Sequence, residues 1–203
     1  TKVIRQDIQI INQPIILSIE VATSRWFAKG TQIAQFEVAN TVKLTNSETS
    51  INGTKQVKGE TWSTQTREII LYPRRAGAYE VPAISVQVSI NTEHNGIVEG
   101  YIATQPQYFE ITIPDKLKNI ENVIVSPQVT LDISTKNNSK DNNYSMGSAI
   151  TRTVTITAET APAMMIPPIE LIQLTGLSVY HQSPQVVDKS NRGALIGTRI
   201  RVR

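Results

Sequence analysis

Apolar and polar residues alternate with a period of two through most of this 203-residue chain. That is the spacing of a strand with one dry face and one wet face. Ile84, Val86, Val88 and Ile90 alternate with Ser85, Gln87 and Ser89. Ile150, Arg152, Val154, Ile156 and Ala158 lie opposite Thr151, Thr153, Thr155 and Thr157, with Arg152 near the end, where a long side chain reaches water. The same pattern predicts strands over 15–21, 66–72, 108–113, 129–133 and 195–202, and Lys2-Val3-Ile4-Arg5 reads as another. No stretch holds apolar residues at a spacing of 3.6 for three turns. Turn signals separate the strands at Asn12-Gln13-Pro14, Asn52-Gly53, Lys58-Gly59, Arg74–Gly77, Asn95-Gly96 and Asn191-Arg192-Gly193.

Many short strands with turns between them predict an all-β protein of β-sandwich type. Residues 114–122, with a proline and four charges, interrupt the pattern, and a new strand pattern starts at Val123. The expectation is therefore tandem immunoglobulin-like β-sandwich domains over 1–115 and 116–203, the alternative being one large sandwich with two edge prolines. Each half places an apolar residue before proline and an isoleucine soon after, at Val81-Pro82-Ala83-Ile84 and Ile166-Pro167-Pro168-Ile169. Proline gives no amide hydrogen to a ladder, so both sites predict an edge strand or a change of sheet. Lys136–Tyr144 is polar and Asn-rich and reads as a long flexible hairpin loop.

Composition agrees with strands: Ile, Val and Thr are abundant, and branching at Cβ suits a pleated surface. Cysteine is absent, which excludes disulfides, thiolate zinc sites and a cysteine nucleophile. No apolar run approaches the length of about 18 residues that marks a membrane helix. The last residues, Arg199–Arg203, break off inside a strand pattern, so the second domain is expected to be truncated at its C-terminal end. Residues 1–115 carry ten Lys/Arg against eleven Asp/Glu, and residues 116–203 carry ten against six. No basic cluster is interleaved with aromatics, so no nucleic-acid partner is expected.

Catalytic and metal motifs are missing. His94 and His181 stand one in each half, neither with a second ligand at close spacing, and His94 sits in a hairpin-turn context. Asp141-Asn142-Asn143 and Asp188–Asn191 lack the oxygen spacing of a calcium loop. There is no nucleophile elbow, phosphate loop or paired carboxylate. The expectation is a protein that is not an enzyme and uses no cofactor or metal. Trp26 and Trp62 are the most specific contact candidates, each open to a core role or to a stacking platform. Trp62 is in phase with Ile70 and Tyr72 but also with Glu68, which a bulge would reconcile. Trp26, Arg74 and Arg75 are the candidate partner contacts. Asn52-Gly53-Thr54 and Asn143-Tyr144-Ser145 fit the glycosylation acceptor pattern.

Trp62-Ser63-Thr64-Gln65, followed by Leu71-Tyr72-Pro73-Arg74-Arg75-Ala76-Gly77-Ala78-Tyr79-Glu80-Val81-Pro82-Ala83-Ile84, resembles a stretch of BatD-like proteins of the bacterial aerotolerance (oxygen tolerance) group. Arg152–Ala158, Ile166-Pro167-Pro168, Gly176–Tyr180, Pro184, Asp188, Gly193 and Gly197-Thr198-Arg199 extend the likeness over most of 50–203, with 1–49 less distinctive. The resemblance implies tandem Ig-like domains in the periplasm, held at the inner membrane by a C-terminal anchor outside this chain. It also implies partners among von Willebrand A-domain membrane proteins and a MoxR-type ATPase system, with a scaffold or interaction role in envelope stress and no catalytic residues. The alternative is a carbohydrate-binding or adhesin-type sandwich, which needs Trp26 and Trp62 exposed.

Overall fold

The computed structural model describes residues 2–4, 9–45, 50–137, 146–170, 175–191 and 194–202. It is all-β. Its strands are β1 (Lys2–Ile4), β2 (Ile15–Thr23), β3 (Trp26–Phe27), β4 (Gln32–Ile33), β5 (Thr41–Thr45), β6 (Ile51–Val57), β7 (Glu60–Pro73) and β8 (Gly77–Val81). They continue as β9 (Ser85–Thr92), β10 (Gly96–Ala103), β11 (Gln107–Ile111), β12 (Val129–Asn137), β13 (Ile150–Glu159), β14 (Gln185–Asn191) and β15 (Ala194–Val202). The only helical turns among the described residues are short 3-10 segments at Asp115–Leu117 and Ala163–Met165. The chain divides into two compact units, Thr1–Asp115 and Lys116–Arg203.

In the first unit one sheet runs β1-β2-β7-β5, with β6 also on β7, and a second runs β10-β9-β3, with β4 also on β9. β8 and β11 form a two-stranded sheet. All strand pairs are antiparallel. Ile15, Leu17, Ile19 and Val21 of β2 alternate inward and meet Ile69 and Leu71 of β7, Val86 and Val88 of β9, and residues of β8 and β11. Tyr79 stacks flat on Phe109, its register partner, with ring centroids 5.2 Å apart.

The Arg74–Gly77 turn is held from inside. The Tyr79 hydroxyl donates to the Arg75 carbonyl at 2.8 Å and accepts from the Arg75 amide at 3.2 Å. A tyrosine reaching back to nearby backbone in this way locks a strand corner. Gly77 has φ +129, a conformation that strains a residue bearing Cβ. After β8 the chain passes through Pro82 and changes sheets into β9, one of the two roles expected for that proline.

Among its described residues the second unit forms one antiparallel sheet, β12-β13-β15-β14. Its core is small: Ala158, Ala161 and Ile166, with Ile124 and Ile156 packed against them. The 161–166 turn is clamped to the sheet at two points. The Ala163 amide donates to Asp188 Oδ1 at 2.7 Å. A Cβ at Gly197 would lie 2.3 Å from the Ala161 carbonyl oxygen, so the turn packs against bare backbone there.

Several expectations are corrected. Asn52-Gly53 lies inside β6, not in a turn, because Ile51–Val57 ladders along β7 from Ile51↔Thr66 to Val57↔Glu60. The turn is at Lys58-Gly59. Val123 opens no strand; β12 starts at Val129. Pro167 follows the 3-10 turn and lies in no strand. No bulge rescues Trp62, since β7 keeps unbroken register with β2, β5 and β6. β12 and β13 do form a hairpin, but residues 138–145, including Asn143-Tyr144-Ser145, lie outside the described residues, as do Arg192 and Gly193.

Candidate functional site

Exposed apolar side chains gather on one face of the first unit. Ile84, Val86, Val88 and Ile90 turn into or against its core. The intervening residues of β9 must then face away from it. Trp26 pairs with Asn91, and Asn91 pairs with Ile97, so the three form one row on that outward face. Tyr101, two positions beyond Glu99, shares it. Trp26 is 75% exposed, Ile97 57% and Tyr101 74%.

Between Ile97 and Tyr101, the Glu99 carboxylate accepts hydrogen bonds from Lys29 Nζ at 2.8 Å and Ser89 Oγ at 3.1 Å. Those bonds, the one from Lys29 foremost, hold its carboxyl below the ordinary carboxylate range. Arg25 and Glu93 form a second ion pair beside Trp26. A tryptophan and a tyrosine around charges already paired is the composition of a protein-contact patch.

The candidate contacts are not brought together. Trp26 follows the Thr23 end of β2, whereas Arg74 and Arg75 lie beside its Ile15 end, where Ile15 pairs with Leu71. The nine-residue strand sets those ends about 26 Å apart at ~3.3 Å per residue step. Both arginines are exposed, but their local bonds are structural. Arg74 donates from its amide to the Asn40 carbonyl and from Nη1 to Asn12 Oδ1 at 2.9 Å. Trp62 is half-buried on the β7 face opposite Ile69 and Leu71, with Lys55 as its register partner. It is therefore neither a core residue of the sandwich nor an open platform.

A groove of about 770 Å³ lies along residues 31–37, bounded by Lys43, Arg67 and Ile69. Its polar groups hold that segment in place. The Thr31 amide donates to Gln65 Oε1 at 2.8 Å, Arg67 Nη2 donates to the Thr31 carbonyl at 2.9 Å, and Lys43 bonds the Phe36 carbonyl while lying over its ring. His94 is exposed in the β9–β10 turn, and His181 is exposed as well. Among the described residues no group of three His, Asp or Glu side chains could hold a metal ion.

Sequence reasoning found Trp26 and missed Ile97 and Tyr101. Their signal was present as adjacent apolar pairs, Ile97-Val98 and Tyr101-Ile102, in a segment that does not alternate.

Residues 4–98 match the model of a family described as "BatD DUF11 like domain". Over these residues the chain is BatD-like. The BatD match runs from β1 into β10 and includes Trp26, Ile97, Arg74, Arg75 and the Tyr72–Pro82 motif. It takes in residues 4–49, the less distinctive stretch, and stops at 98, short of the second-half motifs from Arg152 to Arg199. No curated protein and no solved structure matches the chain.

Proposed function

We propose that this BatD-like chain is a non-catalytic protein-interaction and scaffold module. It works in the periplasm, as part of a protein anchored to the inner membrane by segments outside this chain, and serves aerotolerance or the envelope stress response. Its partners are von Willebrand A-domain membrane proteins acting with a MoxR-type ATPase. The observation that carries this reading is the exposure of Trp26, Ile97 and Tyr101 on one outward face, the first two within the BatD-matched residues. Burying such side chains against a partner supplies most of the binding energy of a typical interface. Arg74 and Arg75, at the other end of β2, would serve a separate contact, with a member of that system other than the A-domain protein. Crosslinking and pull-down from envelope fractions should recover an A-domain membrane protein with the wild-type chain. Recovery of none after crosslinking would reject the partner assignment.

Of the two tryptophans that a carbohydrate-binding sandwich needs exposed, Trp26 is exposed and Trp62 is half-buried, so this second reading rests on a sugar stacking on the Trp26 indole alone. Titration with glycans should then shift tryptophan emission in wild type and not in Trp26→Ala. An unresponsive spectrum removes that reading.

A further inference from the structure

We propose that the outer edge of β10 accepts an extended, largely uncharged segment of a partner protein as an added β-strand. The inference rests on the reading of the chain as a protein-interaction module, and it supplies the mode of binding. β10 is a terminal strand of its sheet, with β9 on one side and no strand on the other among the described residues. All eight of its residues, Gly96–Ala103, are exposed.

The composition is wrong for a solvated edge. Proteins protect such edges with lysine, proline, bulges or short length. β10 has none of these over Gly-Ile-Val-Glu-Gly-Tyr-Ile-Ala, and its one charge, Glu99, is already paired with Lys29. Apolar residues stand on both faces: Ile97 and Tyr101 outward, Val98 and Ile102 on the core side. That is the pattern of a strand flanked by neighbours and covered on both sides.

Hydrogen bonding fixes which groups are open. The Thr104 amide donates to the Ile84 carbonyl at 3.0 Å, so that register position is a bonded pair. Bonded and non-bonded pairs alternate in an antiparallel ladder. Val98, Gly100 and Ile102 therefore bond to β9, through Ile90, Val88 and Val86. The amides and carbonyls of Ile97, Glu99, Tyr101 and Ala103 point to the open edge. β9 agrees from its other side, since the Ser89 and Ser85 carbonyls accept from Ala28 and Ala34.

Side-chain room lies beside the open edge. Apart from its chain neighbours, no atom is within 4 Å of where a Cβ of Gly100 would sit, which leaves a notch between Val98 and Ile102. A cleft of about 390 Å³, lined in part by Ile19, Val21, Val86 and Ile102, opens next to it. An added strand would take affinity from main-chain bonds and selectivity from an apolar side chain in that cleft.

The test titrates the 15N-labelled chain with a short capped peptide of alternating threonine and valine, bearing a lysine at each end. The expected result is new exchange protection at the Ile97, Glu99, Tyr101 and Ala103 amides, with Val98, Gly100 and Ile102 little changed. Tyr101→Pro removes one open amide without breaking the β9 ladder and should weaken binding roughly tenfold more than Tyr101→Ala, which keeps it. Both variants should melt close to wild type. Absence of edge protection at saturation, protection elsewhere, or equal losses in the two variants would overturn the proposal. So would a free chain that sediments as a dimer with the same amides protected, since the edge would then belong to a second copy. If pull-down recovers no A-domain protein while the edge amides are protected, the partner assignment fails and the strand-addition site stands.

Discussion

Tyr79 holds the Arg74–Gly77 turn through a single oxygen. Tyr79→Phe keeps the stack on Phe109 but strips the Arg75 amide and carbonyl of their partner. The expected cost is about 1–2 kcal/mol of stability, seen as a lower denaturation midpoint with an unchanged slope. Gly197 is more sensitive, because its neighbours are main-chain atoms that cannot rotate away. Gly197→Ala should displace the 161–166 turn and destabilise the second unit by about 3 kcal/mol or more. Glu99 provides a titration test. Its pKa is depressed first by the bond from Lys29, so Lys29→Met should move its NMR titration midpoint up toward the usual ~4.3. For a carboxyl depressed in the folded state, the linked stability is present above the unfolded pKa. It is lost as pH falls through the folded value. The pair is exposed, so the effect on stability is small.

At the scale of elements, legibility followed the number of faces each strand buries. β2, β9 and β13 bury one face, so alternation placed them to within two residues at either end. β6 was lost to its Asn-Gly pair, a local turn signal overruled by pairing along β7, a partner contributed by the adjoining strand. β7 misled through parity. Its core residues are Ile69 and Leu71, so Trp62 and Tyr72 face the other way, and Tyr72 is nevertheless fully buried on that side. β10 stayed invisible because apolar pairs on both faces have no period of two. The contrast predicts two mutational outcomes. Trp26→Ala should leave thermal stability within about 0.5 kcal/mol of wild type while weakening partner capture. Ile69→Ala, at a buried position, should cost about 2–5 kcal/mol in chemical denaturation.

For the whole molecule, the two units differ in how much they bury. The first has a continuous cluster from Ile15 to Ile111, while the second relies on Ala158, Ala161, Ile166 and the clamp at Asp188 and Gly197. Calorimetry should resolve two transitions, with the cooler one belonging to the second unit. Gly197→Ala should lower that transition alone, and a single transition would contradict the assignment. The all-β class was legible because it rests on alternation and turn chemistry summed over the chain. The candidate site was legible only at Trp26, because the rest of that face depends on which strand pairs with β9.

Partner contact, as proposed, runs through the outward face of β10-β9-β3. Placing a photocrosslinking benzoyl-phenylalanine at Trp26 or, separately, at Arg75 tests it in intact envelopes. A crosslink to a von Willebrand A-domain membrane protein from position 26, and at most a weak one from position 75, is the predicted result. Equal crosslinks from both positions, or a crosslink from position 75 alone, would contradict it.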